Sequence, residues 1–246
     1  MQPFINKNLI KTRFKKSLDT YNRHATVQTG MAAKLIEILA KNCGNKFETI
    51  LEIGCGTGIL TEKILKNINF SEFYTNDIVE DSEKYIQKIS KNIVFLGGDA
   101  EIMNFSLKAD LIISNATFQW FSDLPAFLKK ISLNLNKGGI LAFTSFGHKN
   151  LYEISKITNY KLSYLDKNIF NDCFELVYYD SEIIELIFDN PVKILEHLKY
   201  SGTNALSNQS WSRRNFNDFI LKYKELFSFS QGVHLTYQPV YFIFKN

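Results

Sequence analysis

The sequence predicts an α/β fold built on a doubly wound parallel sheet. Short apolar runs ending in polar residues recur at Thr49–Ile53, Glu72–Asn76, Ile93–Gly97 and Leu111–Ser114. Helical segments separate them at Ile59–Lys66, Ser82–Ser90 and Pro125–Leu135. A turn with glycines at alternate positions, Gly54, Gly56 and Gly58, joins the first run to the first of those helices. Strands that alternate with helices pair in parallel and carry helices on both faces.

The remaining elements follow in order. Residues 1–30 are basic and amphipathic, with Phe14, Leu18 and Tyr21 at helical spacing. They predict short helices outside the main core, a helical lid. Met31–Asn42 places Met31, Leu35, Ile38 and Leu39 on one face, and Gly44 is a natural stop. Lys137-Gly138-Gly139 reads as a tight turn into a fifth strand, Ile140–Phe146, which closes a core at residues 45–146. Residues 148–175 read as helical and irregular, Glu182–Phe188 as a strand. Asn190-Pro191 opens a helix through about Tyr200, with proline at a permitted early position. Ser201–Ser230 is polar, carries Trp211, Arg213 and Arg214, and ends in an amphipathic helix. Residues 148–230 thus form an elaboration that includes a sixth strand. Val233–Phe244 alternates like one edge or antiparallel strand with a bulge at Pro239, giving a terminal strand at 233–246. No repeat or linker interrupts the chain, and its 246 residues suit one domain.

Composition limits the function classes. Hydrophobic content of 45% and charged content of 22% are those of a globular protein. The net charge of +4 is scattered, which gives too little electrostatic footprint for nucleic acid but suits an acidic partner. The 21 Phe and 12 Tyr would suit a greasy substrate cavity. Cys43, Cys55 and Cys173 lack paired spacing, so a reducing compartment is expected. The start shows no apolar leader, and no stretch approaches the roughly 18 apolar residues of a membrane helix. A cytoplasmic protein with no membrane partner is the expectation. His24, His148, His197 and His234 are scattered, and no metal spacing, nucleophile elbow or phosphate loop is present, so no metal is expected.

The chemistry lies at the strand ends, where open parallel sheets bind ligands. Glycines let the backbone approach a ligand closely. Glu52 precedes the turn and would repel a pyrophosphate, whereas S-adenosylmethionine brings an ammonium and a sulfonium. Asp77, 23 residues after Gly54, is placed to accept ribose hydroxyls. Asp99 can take the adenine amino group, and the backbone near Ala100 a ring nitrogen. Asn115 faces the crevice. A helix cap is the alternative for Asp99, and Glu101 reads as such a cap.

The runs LEIGCGTG, Asn76-Asp77, Gly98-Asp99-Ala100-Glu101 and SNATFQW at 114–120 resemble class I S-adenosylmethionine-dependent methyltransferases. A narrower resemblance, to the malonyl-acyl carrier protein O-methyltransferases, covers nearly the whole chain. It rests on Arg13-Phe14 through Ser17-Leu18, on Tyr21-Asn22-Arg23-His24-Ala25 with Gln28, and on Asn115 with Phe118-Gln119-Trp120. Leu198–Ala205 and Leu235–Tyr241 add to it, and Asn22 stands where many relatives carry Asp.

The resemblance implies a Rossmann-like sheet of seven strands, six parallel and the last antiparallel, with an insertion between strands five and seven. It implies methyl transfer to the free carboxylate of a malonyl group on acyl carrier protein or CoA, early in biotin synthesis. Cofactor contacts are implied at Gln28, Glu52, Gly54, Gly56, Gly58, Asp77, Ile78, Asp99, Ala100 and Asn115. Tyr21 and His24 are candidates to hold the acceptor carboxylate, or they pack. Phe118 and Trp120 are candidate pocket walls or core. Arg213 and Arg214 either pair with the carrier or the malonyl carboxylate, or are solvated. A carboxylate is ionised at neutral pH and needs no strong base. The alternatives are another small-molecule methyltransferase, acting on a free acid or a quinone, and a non-catalytic protein of the same fold. Asn115-Ala116-Thr117-Phe118 departs from the proline-rich pattern of amino-methylating nucleic-acid enzymes.

Overall fold

The computed structural model describes residues 5–158, 174–202 and 212–246. Strands β1 (Thr49–Ile53), β2 (Glu72–Asp77), β3 (Val94–Gly97), β4 (Ala109–Asn115) and β5 (Leu135–Phe146) run parallel. With β6 (Glu175–Ser181) and β10 (Pro239–Lys245) they form one seven-stranded sheet, in the order β3-β2-β1-β4-β5-β10-β6. Strand β10 is antiparallel to both of its neighbours, β5 and β6, so the other six strands share one direction. The strand order reverses between β1 and β4. Helices on both faces bury these central strands, which explains their unbroken Ile/Leu runs. Glu52 is the exception, a carboxylate only 1% exposed in a strand otherwise apolar after Thr49.

The amino-terminal region differs from the expected short helices. It forms one helix, α1 (Lys7–His24), with Asn6 accepting from the Leu9 amide as its cap. Helix α2 (Thr26–Cys43) starts five residues before the predicted Met31. Ala25 alone separates the two helices and leaves the helical region at φ −85°, ψ 44°. Val27 and Gln28 are already buried, so tertiary packing extends α2 where periodicity alone did not. Helices α3 (Ile59–Asn67), α4 (Glu83–Ile89) and α5 (Leu124–Ser132) connect the strands as expected. Asp123 caps α5 by accepting from the Ala126 amide.

Three strand expectations need correction. Lys137-Gly138-Gly139 is a bulge inside β5: pairing jumps from Ala109–Leu135 to Leu111–Ile140, with Gly138 at φ 76°. The sixth strand of the main sheet is β6; the expected strand lies further on as β7 (Ile184–Phe188), in a separate small sheet. As an edge strand β6 leaves Leu176, Val177 and Tyr179 exposed, so it shows no buried apolar run. The predicted Val233–Phe244 strand is two, β9 (Gly232–Tyr237) and β10, which change sheets at Gln238. Strand β9 pairs with β7 and with β8 (Ser228–Phe229). Helix α6 spans Tyr152–Thr158; α7 (Pro191–Tyr200) and α8 (Arg213–Phe227) are capped by Asn190 and Ser212. Many aromatics fill the core rather than a cavity: Phe118, Phe127, Phe143, Phe242 and Phe244 are at most 2% exposed. Cys173 and Trp211 lie outside the described residues.

Candidate active site

A crevice opens at the carboxyl ends of β1, β2 and β4, where the strand order reverses. The turn after β1 is held from below, as the Gly54 and Cys55 amides both donate to the Asn76 carbonyl, at 2.8 and 3.0 Å. Its three glycines serve different ends. All have positive φ, at 74°, 53° and 88°. A Cβ on Gly54 would collide with Thr117, and one on Gly58 with the Ile89 side chain. A Cβ on Gly56 would meet open space on the crevice side. Thus Gly54 and Gly58 permit protein packing, and Gly56 leaves room for a ligand. Gly58 does not line the crevice; it begins α3. Burial pushes the Cys55 thiol up, so it is a packing residue and not a nucleophile.

Two buried carboxylates line the crevice. Glu52 accepts from the Thr61 hydroxyl at 2.6 Å. Burial raises its pKa to about 8, with the Asp77 carboxylate adding to the rise. Asp77 accepts from the Gly56 amide at 2.8 Å and the Val79 amide at 2.7 Å. Burial still raises it to about 6, against the lowering effect of those two bonds. Among the described residues neither carboxylate has an ion-pair partner. Ile78, Asp99, Ala100 and Asn115 also line the crevice. Asp99 Oδ1 accepts from the Glu101 amide at 3.0 Å and lies 3.3 Å from Lys7 Nζ. The Asn115 amide is committed to the scaffold. It donates to the Gln28 carbonyl at 3.0 Å and accepts from the Thr144 hydroxyl at 2.6 Å.

Helix α1 roofs the crevice with one face, on which Lys7, Phe14, Leu18 and Tyr21 lie. Phe14 packs edge-on against Trp120 at 5.5 Å between centroids. Burial, aided by Asp77, drives the Tyr21 hydroxyl well above the ordinary phenol range, so it stays protonated. The exposed neighbour Asn22 accepts from the Thr57 hydroxyl at 2.5 Å and ties the roof to the glycine turn.

Other expected site residues lie elsewhere. His24 does not line the crevice; its ring stacks on Tyr200 at 4.9 Å. The Gln28 side chain is buried away from the lining, and its carbonyl positions Asn115. Phe118 is core, packed on Phe121, Phe127 and Phe143. Arg213 and Arg214 are exposed at the start of α8, with Arg214 3.9 Å from Asp218. Glu101 does not cap its own segment: it accepts from the Ser122 and Asp123 amides, at 2.9 and 2.7 Å, and pairs with Lys7.

The structure adds residues that sequence reasoning missed. Thr61 holds Glu52, and its signal was its place one turn into the helix after the glycine turn. Asn76 donates to the Leu96 and Gly98 carbonyls, at 2.7 and 3.0 Å, setting the position of the Asp99 loop. Ala116 takes φ 52°, and no residue-type signal marks it. Ser82 lines the crevice, fully buried, and its hydroxyl has no partner among the described residues. An orphaned hydroxyl, two unpaired carboxylates and the space before Gly56 fit a cationic, hydroxyl-bearing ligand such as S-adenosylmethionine.

Comparison with known proteins agrees with this geometry. The family described as "Methyltransferase domain" matches residues 21–181. A malonyl-[acyl-carrier protein] O-methyltransferase of Calditerrivibrio nitroreducens is 39% identical, covering 95% of this chain and 94% of the relative. One from Bacteroides thetaiotaomicron is 35% identical over 98% and 99% of the two chains. The crystal structure of a putative methyltransferase from Bacillus halodurans matches with a TM-score of 0.62 at 17% identity, over 87% of this chain and 97% of that one. The N-methyltransferase NodS from Bradyrhizobium japonicum, in complex with S-adenosyl-L-homocysteine, matches at a TM-score of 0.52 and 14% identity, over 87% and 85%. These two structures share the fold.

Proposed function

Since this chain belongs to the methyltransferase-domain family, among the malonyl-[acyl-carrier protein] O-methyltransferases, we propose that it methylates a malonyl thioester. The methyl donor is S-adenosylmethionine, the acceptor is the free carboxylate of malonyl-acyl carrier protein, and the product is its methyl ester. The reading places the chain early in biotin synthesis. The observation that carries the cofactor assignment is the pair of buried carboxylates, Glu52 and Asp77, that line the crevice with no cationic partner among the described residues. The similarity to malonyl-specific relatives over nearly the full chain supports the acceptor.

The bound sulfonium supplies an electrophilic methyl group. The chain supplies binding, orientation and exclusion of water. Glu52 holds the ligand's ammonium, which returns the carboxyl to its ionised form. Asp77 keeps lone pairs beyond its two backbone bonds and accepts ribose hydroxyls. Ser82 offers the hydroxyl left unpaired. Among the described residues the contacts of Asp99 fall on Oδ1, which leaves Oδ2 for an amino group. Tyr21 remains protonated, so it donates to the acceptor carboxylate and does not act as a base. No base is required, because that carboxylate is already ionised at neutral pH. Trp120 and Phe14 keep water from the crevice, and alignment of the reactants supplies the larger part of the acceleration. Arg213 and Arg214, exposed at the start of α8, are available to an acidic carrier.

The test is direct. The protein is incubated with methyl-labelled S-adenosylmethionine and malonyl-acyl carrier protein, malonyl-CoA or malonate, and methyl ester is measured. Ester formation on a malonyl thioester is expected. Intact cofactor binding without transfer to any malonyl thioester would overturn the acceptor assignment.

A further inference from the structure

The roof helix is fastened by charge at its amino-terminal end. Lys7, Lys11 and Lys15 lie at i, i+4 and i+8 along α1, a stripe of like charge that weakens an isolated helix. No acidic residue occupies the first turn of α1, where the helix dipole would favour one. Both deficits are made good across the crevice. Lys7 pairs with Glu101 and lies 3.3 Å from Asp99; Lys11 lies 3.1 Å from Glu80, and Lys15 2.7 Å from Asp81. The acids at 99 and 101 sit at the start of α1 and supply the negative charge that its sequence lacks.

The three pairs are unequal. The Lys11 and Lys15 pairs are open to water, and exposed pairs contribute little. Lys7 is 23% exposed, and its partners Asp99 and Glu101 are 17% and 11% exposed. Its ammonium also lies 4.6 Å from the centre of the Phe121 ring. From below, Lys130 donates to the Ala100, Glu101 and Met103 carbonyls, at 2.5, 2.8 and 2.8 Å. The loop bearing Asp99 is therefore held between two lysines. The other end of α1 is fixed by different means. Asn22 bonds Thr57, and the Thr20 hydroxyl lies 3.4 Å from the Tyr200 carbonyl; midway along the helix, Phe14 packs so close to Gly202 that a Cβ added there would lie 2.9 Å from its ring. Ala25 interrupts the helices there, some 18 residues or roughly 27 Å from Lys7.

We propose that Lys7 is a positioning residue that bolts the amino-terminal end of α1 over the adenine side of the crevice and orients Asp99, so that ligand exchange requires its ion pairs to break. The proposal rests on the cofactor assignment above. Release is then controlled at the Lys7 end, while Tyr21, near the Ala25 break, keeps its place.

The test measures release of S-adenosylhomocysteine from the whole protein by stopped-flow displacement, from about 50 mM to about 500 mM NaCl. Wild type should release it faster as salt rises. Lys7→Gln should release it about fivefold faster at low salt and with a flatter salt dependence, and Lys7→Arg should restore most of both. Lys11→Gln/Lys15→Gln should change release by less than Lys7→Gln. In Lys7→Gln the ligand-free α1 should also be cut faster by trypsin beyond residue 7. Unchanged release and salt dependence in Lys7→Gln, with unaltered circular dichroism, would overturn the bolt alone. Failure of wild type to bind S-adenosylhomocysteine would instead overturn the cofactor assignment, and the bolt with it.

Discussion

Glu52→Gln separates the cost of a buried carboxyl from its use. Burial raises the Glu52 pKa from 4.5 to about 8. The folded state therefore holds its proton more tightly than the unfolded chain does. Stability from this group is fully present below about pH 4.5 and is lost as pH rises through about 8. At ~1.36 kcal/mol per pKa unit, full ionisation withdraws about 5 kcal/mol, of which about 4 kcal/mol is already gone near pH 7.5. Domains have only roughly 5–15 kcal/mol in hand, so the effect is a measurable share of the total. Glutamine has the same shape, carries no charge, and can still accept from the Thr61 hydroxyl. Urea unfolding of ligand-free wild type and variant between about pH 5 and pH 9 should give stabilities close together at the acid end. They should diverge toward pH 9, with the variant the more stable by several kcal/mol. A small shared slope will remain in both from Asp77, which is raised to about 6. In the same variant S-adenosylhomocysteine should bind about tenfold or more weakly, and the proton released by wild type on binding should disappear from calorimetry in paired buffers. A constant stability offset across the whole pH range would refute the reasoning.

Three further outcomes follow from the geometry. Gly58→Ala should lower stability by about 2 kcal/mol in chemical unfolding, through its positive φ and the collision with Ile89, whereas Gly56→Ala should cost about 1 kcal/mol of stability and lose proportionately more cofactor affinity. Ser82→Ala should raise the melting temperature of the ligand-free protein, since it removes an unpaired buried hydroxyl worth about 1 kcal/mol, and should weaken S-adenosylhomocysteine binding; a lowered melting temperature would show that the hydroxyl is satisfied. Tyr21→Phe should reduce turnover on the malonyl thioester by about tenfold to a hundredfold and leave cofactor affinity within a few-fold, and unchanged turnover would remove the hydroxyl from the mechanism.

The parts of the fold legible in the sequence are those governed by local rules. The run Thr49–Ile53 reads as a central strand because it is apolar apart from Thr49 and Glu52, and the glycine turn follows it because glycine adopts such φ angles without strain. Asp77 and Asn115 were readable because each ends a parallel strand, and Asp99 because it follows one by two residues, so all three reach the same edge of the sheet. The illegible elements depend on neighbours distant in sequence. Strand β6 is an edge strand with little apolar burial, and the break between β9 and β10 exists because two sheets compete for one continuous run.

By itself the sequence determined the α/β alternation, the crevice at the strand ends and the acids around it, because periodicity and turn chemistry act over a few residues. Only the tertiary structure decided which acids lack a cation among the described residues, which glycine faces the crevice and which faces Thr117, that Phe118 is core while Trp120 is wall, and that His24 stacks on Tyr200 instead of reaching the crevice. It also placed Lys7 on Glu101, 94 residues away in sequence. Those outcomes depend on burial and on through-space charge, and both are set by what the fold brings together rather than by what adjoins in the chain.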